Sequence, residues 1–150
     1  NLPGRTGTGD SLHPAEHRPL QLAGRPVDGE NHHAFYLQAS RALGDPNRRH
    51  RNTSVGHAIS KDLTNWTVVR DALAPSEAPA PDSWTTWTGS IVREDSGSWR
   101  MFYTGTSRED AGERQTVCAA TSDDLMTWTK VEPAPVLPQC VKLRGVDEMA

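Results

Sequence analysis

Residues 82 to 107, DSWTTWTGSIVREDSGSWRMFYTGTS, hold three of the five tryptophans. "WTGS" brings Trp87, Thr88 and Ser90 together, and Tyr103 follows in "FYTG". Aromatic faces beside hydroxyls can stack on a ligand and exchange hydrogen bonds with it. That is binding chemistry, and it supplies no acid or base near neutral pH. Nucleophilic catalysis by a serine triad would need a strained Gly-x-Ser-x-Gly elbow, which "TGSIV" lacks. The six histidines, His13, His17, His32, His33, His50 and His57, show no ligand spacing within one regular element, so no metal site is expected. "GRTGTGD" lacks the Lys-Ser/Thr ending of a phosphate loop, and no cofactor is implied. Cys118 and Cys140 match no zinc or redox spacing.

The elements that must position these residues read as short strands. "HAFYLQAS", "SVGHAIS", "NWTVV", "TGSIVRE", "SWRMFYTG", "TVCAATS" and "TWTKV" are aromatic and β-branched runs bounded by turn residues, with no helical period. An internal repeat organises them. "VGHAISKDLTNWT" and "VCAATSDDLMTWT" align without a gap, placing Trp66 and Trp128 62 positions apart (128 minus 66). "FYLQAS" and "FYTGTS" repeat at 67 positions (102 minus 35). Two units of several short strands each predict an all-β chain of about two propeller blades rather than a solenoid of helices.

The repeat also sorts residues by role. Recurring positions read as scaffold: Ser60, Asp62 and Ser122, Asp124 bonding turn amides, and Leu63, Trp66 and Leu125, Trp128 packing into a blade. Positions that do not recur are the better site candidates, namely His57 (against Ala119), Leu37-Gln38 (against Thr104-Gly105) and the "WTGS" strand.

"WTGS" followed by "WRMFYTG" resembles the five-bladed propeller glycosidases of glycoside hydrolase family 32, related to families 43 and 68. "GHAISKDLTNWT" and "ATSDDLMTWTKVEPAPVL" are similar to blade strands of the same family, and the likeness runs from about His33 to Leu137. The resemblance implies a pocket at one end of a central channel and hydrolysis of β-fructosides, or fructosyl transfer, by two carboxylates. One must be neutral and one ionised to protonate the leaving oxygen and stabilise an oxocarbenium-like centre. It implies a carbohydrate substrate, with Trp87 and Ser90 as the main contacts and Thr88 and Tyr103 as further ones; His57 joins them as a substrate-binding candidate from the repeat. Filling of the space between blades by Trp84, Trp87, Trp99 and Tyr103 is the competing role. Action on α-arabinosides or β-xylosides, and carbohydrate binding without catalysis, are the alternative readings.

The resemblance breaks at the acids. The family carries a first-blade nucleophile, an Arg-Asp-Pro stabiliser and a Glu-Cys acid/base, and this chain has neither an "RDP" nor an "EC" stretch. Shifting "WTGS" back by 67 lands on "LQLA", Leu20 to Ala23, without a carboxylate, so the catalytic residues are unknown. The nearest acid, Asp28 in "VDGE", reads as part of a turn before the next strand. An incomplete propeller is therefore expected, spanning 34–138 between irregular segments 1–33 and 139–150. Alone it is expected to lack activity and to self-associate through exposed blade edges. A net charge of −3 with dispersed Lys and Arg argues against nucleic acid, and "NRRHR", Asn47 to Arg51, reads as a solvated loop. No apolar run approaches the ~18 residues of a membrane span.

Overall fold

The computed structural model describes residues 22–24 and 27–137. Chain order gives β1 (Leu22–Gly24), β2 (His32–Gln38), a 3-10 turn (Arg41–Leu43), α1 (Pro46–His50), β3 (Ser54–Ser60) and β4 (Thr67–Val68). A second set follows: β5 (Thr85–Arg93), β6 (Trp99–Thr106), β7 (Gln115–Ser122) and β8 (Thr129–Lys130). Each set is one antiparallel sheet with its strands in sequence order, β1-β2-β3-β4 and β5-β6-β7-β8. Among the described residues no helix is long and apolar enough to cross a membrane.

β1 and the start of β2 lie inside the segment that reads as irregular from sequence. Three residues, Leu-Ala-Gly, carry too little periodicity to be recognised as a strand. The "NRRHR" stretch is also corrected by the structure: it forms α1 and its C-cap rather than a loop. Asp45 caps the helix by accepting from the Asn47 amide at 2.9 Å, and Pro46 takes the first turn.

The core lies between the two sheets. Phe35, Val55 and Leu73 from the first pack against Met101, Tyr103, Cys118, Ala120 and Leu125 from the second. Phe35 meets Trp128 edge-on, with ring centroids 5.5 Å apart.

Both copies of the repeated turn close as their residues suggest. Ser60 Oγ accepts from the Leu63 amide at 2.9 Å, and Asp62 Oδ1 accepts from Asn65 and Thr64 at 2.8 and 2.9 Å. Asp124 accepts from Met126 and Thr127 in the same way. These amides hold both carboxyls below the usual carboxylate range. Leu63 and Leu125 adopt left-handed φ values of 63° and 64°. Their surroundings differ: Leu125 is fully buried against the first sheet, whereas Leu63 is 44% exposed. The expectation that both leucines pack into a blade holds only for the second copy, because the described chain places no sheet over the first.

Candidate functional site

β5 is the inner strand of the second sheet and touches β1, the inner strand of the first. Its pairing with β6 slips between Trp87, opposite Thr104, and Ser90, opposite Phe102. Two residues, Thr88 and Gly89, thus oppose Tyr103 alone, which is a β-bulge. Gly89 is required there by close approach: a Cβ would overlap the Phe102 carbonyl oxygen. β1 shows a similar slip between Leu22 and Gly24 against Phe35 and Tyr36.

The bulge leaves Ser90 exposed and Trp87 half-buried. Trp87 donates its indole N–H to the His50 carbonyl at 3.3 Å, and its ring tilts against the His50 ring at 4.9 Å. Thr88 belongs to the same strand, but its side chain lies outside the described residues. Tyr103 is placed differently, with its ring 2% exposed in the inter-sheet core. Its hydroxyl donates to Asp82 Oδ2 at 2.8 Å, and burial together with that carboxylate pushes its pKa up. Asp82 also receives Lys130 Nζ at 2.6 Å, and Lys130 reaches Ala74 O and Ser76 Oγ at the same distance. Ser76, Asp82, Tyr103 and Lys130 line an open cavity of about 380 Å³ with Glu77 and Glu132.

His57 is fully buried and stacked on Phe35 at 4.3 Å. His33 Nδ1 lies 2.9 Å from His57 Nε2, and His33 Nε2 lies 2.8 Å from Asp28 Oδ2. Asp28 Oδ1 meanwhile accepts from the Asn31 and Glu30 amides at 2.8 and 2.9 Å, as the turn reading requires. Those amides, then His33, hold its carboxyl below the usual range. An ionised carboxylate only accepts, so His33 Nε2 donates to it. His57 Nδ1 is buried without a partner among the described residues. Sequence spacing did not reveal this chain, because the histidines sit on different strands, where His33 pairs with Ile59 and Phe35 with His57.

This cluster makes the fold acid-sensitive. Burial, then the neighbouring His33, lowers the His57 pKa from 6.5 to about 4. Below pH 6.5 the unfolded chain takes up a proton that the folded chain refuses, so stability is full above 6.5 and declines toward pH 4. At pH 5 the loss is about 2 kcal/mol. Asp28 acts in the same direction, but only below its ordinary value of 3.8. Urea midpoints at pH 7.5 and 5 should differ accordingly, and His57→Leu should remove most of the difference. A midpoint that does not move would rule out the buried neutral imidazole.

Among the described residues no group of three metal-ligating side chains comes together. Two consecutive four-stranded antiparallel sheets, packed face to face with their first strands side by side, are successive blades of a β-propeller. The family model "Glycosyl hydrolases family 32 N-terminal domain" matches residues 26–147. The chain belongs to glycoside hydrolase family 32.

Similar proteins agree. β-Fructofuranosidase 1 of Zea mays is 35% identical over 89 residues, covering 57% of this chain and 13% of that one. Sucrose-6-phosphate hydrolase of Bacillus subtilis (strain 168) is 36% identical over 85 residues, covering 56% and 17%. The crystal structure of fructan 1-exohydrolase IIa from Cichorium intybus superposes with a TM-score of 0.64 at 26% identity, over 77% of this chain and 21% of that one. Matches to these relatives thus span about a fifth of their length or less.

Proposed function

We propose that this chain supplies two successive blades, and part of the substrate-contacting wall, of an enzyme that processes β-fructosides. The observation that carries this reading is the Gly89 bulge. It turns the inner strand so that Ser90 stands exposed beside a half-buried Trp87. An indole face can cover the apolar C–H face of a sugar ring while a serine hydroxyl hydrogen-bonds to the sugar.

Four of the described carboxylates have structural duties. Asp62 and Asp124 close turns, Asp28 holds a turn and His33, and Asp82 holds Lys130 and Tyr103. In this reading the acid pair of a glycosidase is supplied by other parts of the propeller.

Titrating the chain with 1-kestose while following tryptophan fluorescence tests the wall. Trp87→Ala and Ser90→Ala should each weaken binding by roughly 1–3 kcal/mol. Unchanged affinity with a lowered Tm would assign Trp87 to packing instead.

A further inference from the structure

One short segment of the first sheet reaches across to two of the three tryptophans in residues 82–107. It is the β2–β3 connection, and it meets the start of β5, where Thr86 donates its amide to Thr53 O at 3.1 Å and its hydroxyl to the same oxygen at 3.3 Å. His50 makes two contacts with Trp87: its carbonyl accepts the indole N–H at 3.3 Å, and its ring lies 4.9 Å from the indole, tilted by 37°. Arg51, the next residue, places Cζ 5.4 Å from the Trp84 ring centroid, and Arg108 reaches the same ring at 5.8 Å.

A five-residue helix is too short to hold its shape by backbone bonding alone. α1 is fixed instead at both ends. Asp45 caps its first turn, while Asn52 donates its amide to Arg49 O at 3.1 Å and its side-chain N–H to Arg48 O at 2.7 Å. Asn52 Oδ1 accepts from Arg108 Nη2 at 3.3 Å, which ties the end of α1 to the β6–β7 loop of the second sheet. His50 itself is exposed, so its ring is not needed to fill a core. An indole free to change rotamer must be ordered before a sugar ring can lie on it. The His50 carbonyl holds one edge of the indole, and the His50 ring limits its tilt.

We propose that His50 is a positioning residue for Trp87: the neighbouring blade holds the indole in the orientation that receives a sugar ring. This rests on the carbohydrate reading of Trp87 and Ser90 above. The pair lies 37 positions apart in sequence, so sugar affinity is tied to how the two blades pack.

Calorimetric titration of the whole chain with 1-kestose, in a double-mutant cycle over His50 and Trp87, tests it. His50→Ala keeps the carbonyl and removes the ring. It should weaken binding roughly three- to tenfold, the cost of ordering one side chain, and leave Tm unchanged. His50→Phe restores a flat ring without hydrogen-bonding nitrogens and should regain most of the loss. In the Trp87→Ala background, His50→Ala should have no further effect, because the side chain it positions is gone.

Full affinity in His50→Ala beside a weakened Trp87→Ala would overturn the positioning role and leave the carbohydrate wall standing. An equal loss in both backgrounds would also overturn it, showing that His50 meets the sugar directly. A His50→Phe protein as weak as His50→Ala would do the same, since the ring face would then not matter. A Tm that falls together with affinity in His50→Ala would assign the residue to folding instead. Absence of 1-kestose binding by the unaltered chain would overturn both the wall and the positioning role.

Discussion

Phe35→Ala is expected to lower the unfolding free energy by about 4 kcal/mol. Phe35 is fully buried, stacked on His57 at 4.3 Å and met edge-on by Trp128. Truncation leaves a cavity between two sheets, and the stacked imidazoles and the indole edge cannot all collapse into it. Phe102 occupies the same place in the second copy, yet it is only half-buried. Phe102→Ala should therefore cost less than half as much. Urea denaturation of both variants, followed by tryptophan fluorescence, makes the comparison. Equal losses would show that the two sheets do not pack through the Phe35 face.

Gly89→Ala is expected to cost about 3 kcal/mol through overpacking, a large effect for one methyl group. The added carbon would overlap the Phe102 carbonyl oxygen and crowd the Tyr103 backbone, neither of which is a flexible side-chain end. Relief requires β5 to move away from β6, which breaks pairs on either side of the bulge and re-aims Trp87. Loss of stability should thus come with weakened 1-kestose binding. Gly97 is a useful control: its φ of 90° strains any L residue, but nothing lies within 4 Å of an added Cβ. Gly97→Ala should cost about 1 kcal/mol from backbone strain and leave binding intact. A Gly89→Ala protein as stable as Gly97→Ala would remove the close-approach account of the bulge.

Much of this was legible in the residues themselves. Serine and aspartate at fixed offsets before a left-handed leucine dictate their turn by local hydrogen bonding alone, so both copies form it in the same way. The β-branched and aromatic runs specified seven of the eight strands, and "WTGS" with "FYTG" pointed to the family. The short β1 and α1 were not read, the first for lack of periodicity, the second although Asp45-Pro46 is a recognisable helix start.

Within the site, Trp87 and Ser90 are neighbours by strand position and needed no structure to be paired. Tyr103 and His57 joined them on sequence grounds, yet each is buried in contacts of its own, with Asp82 and with His33. Local hydrogen bonding and strand propensity act over a few residues, so the sequence alone determines turns, strands and their repetition. Which copy of a repeated leucine is buried, which arginines share an indole and which histidine loses its proton depend on what a distant segment brings alongside. Those outcomes belong to the tertiary structure, because desolvation and charge proximity act through space and not along the chain.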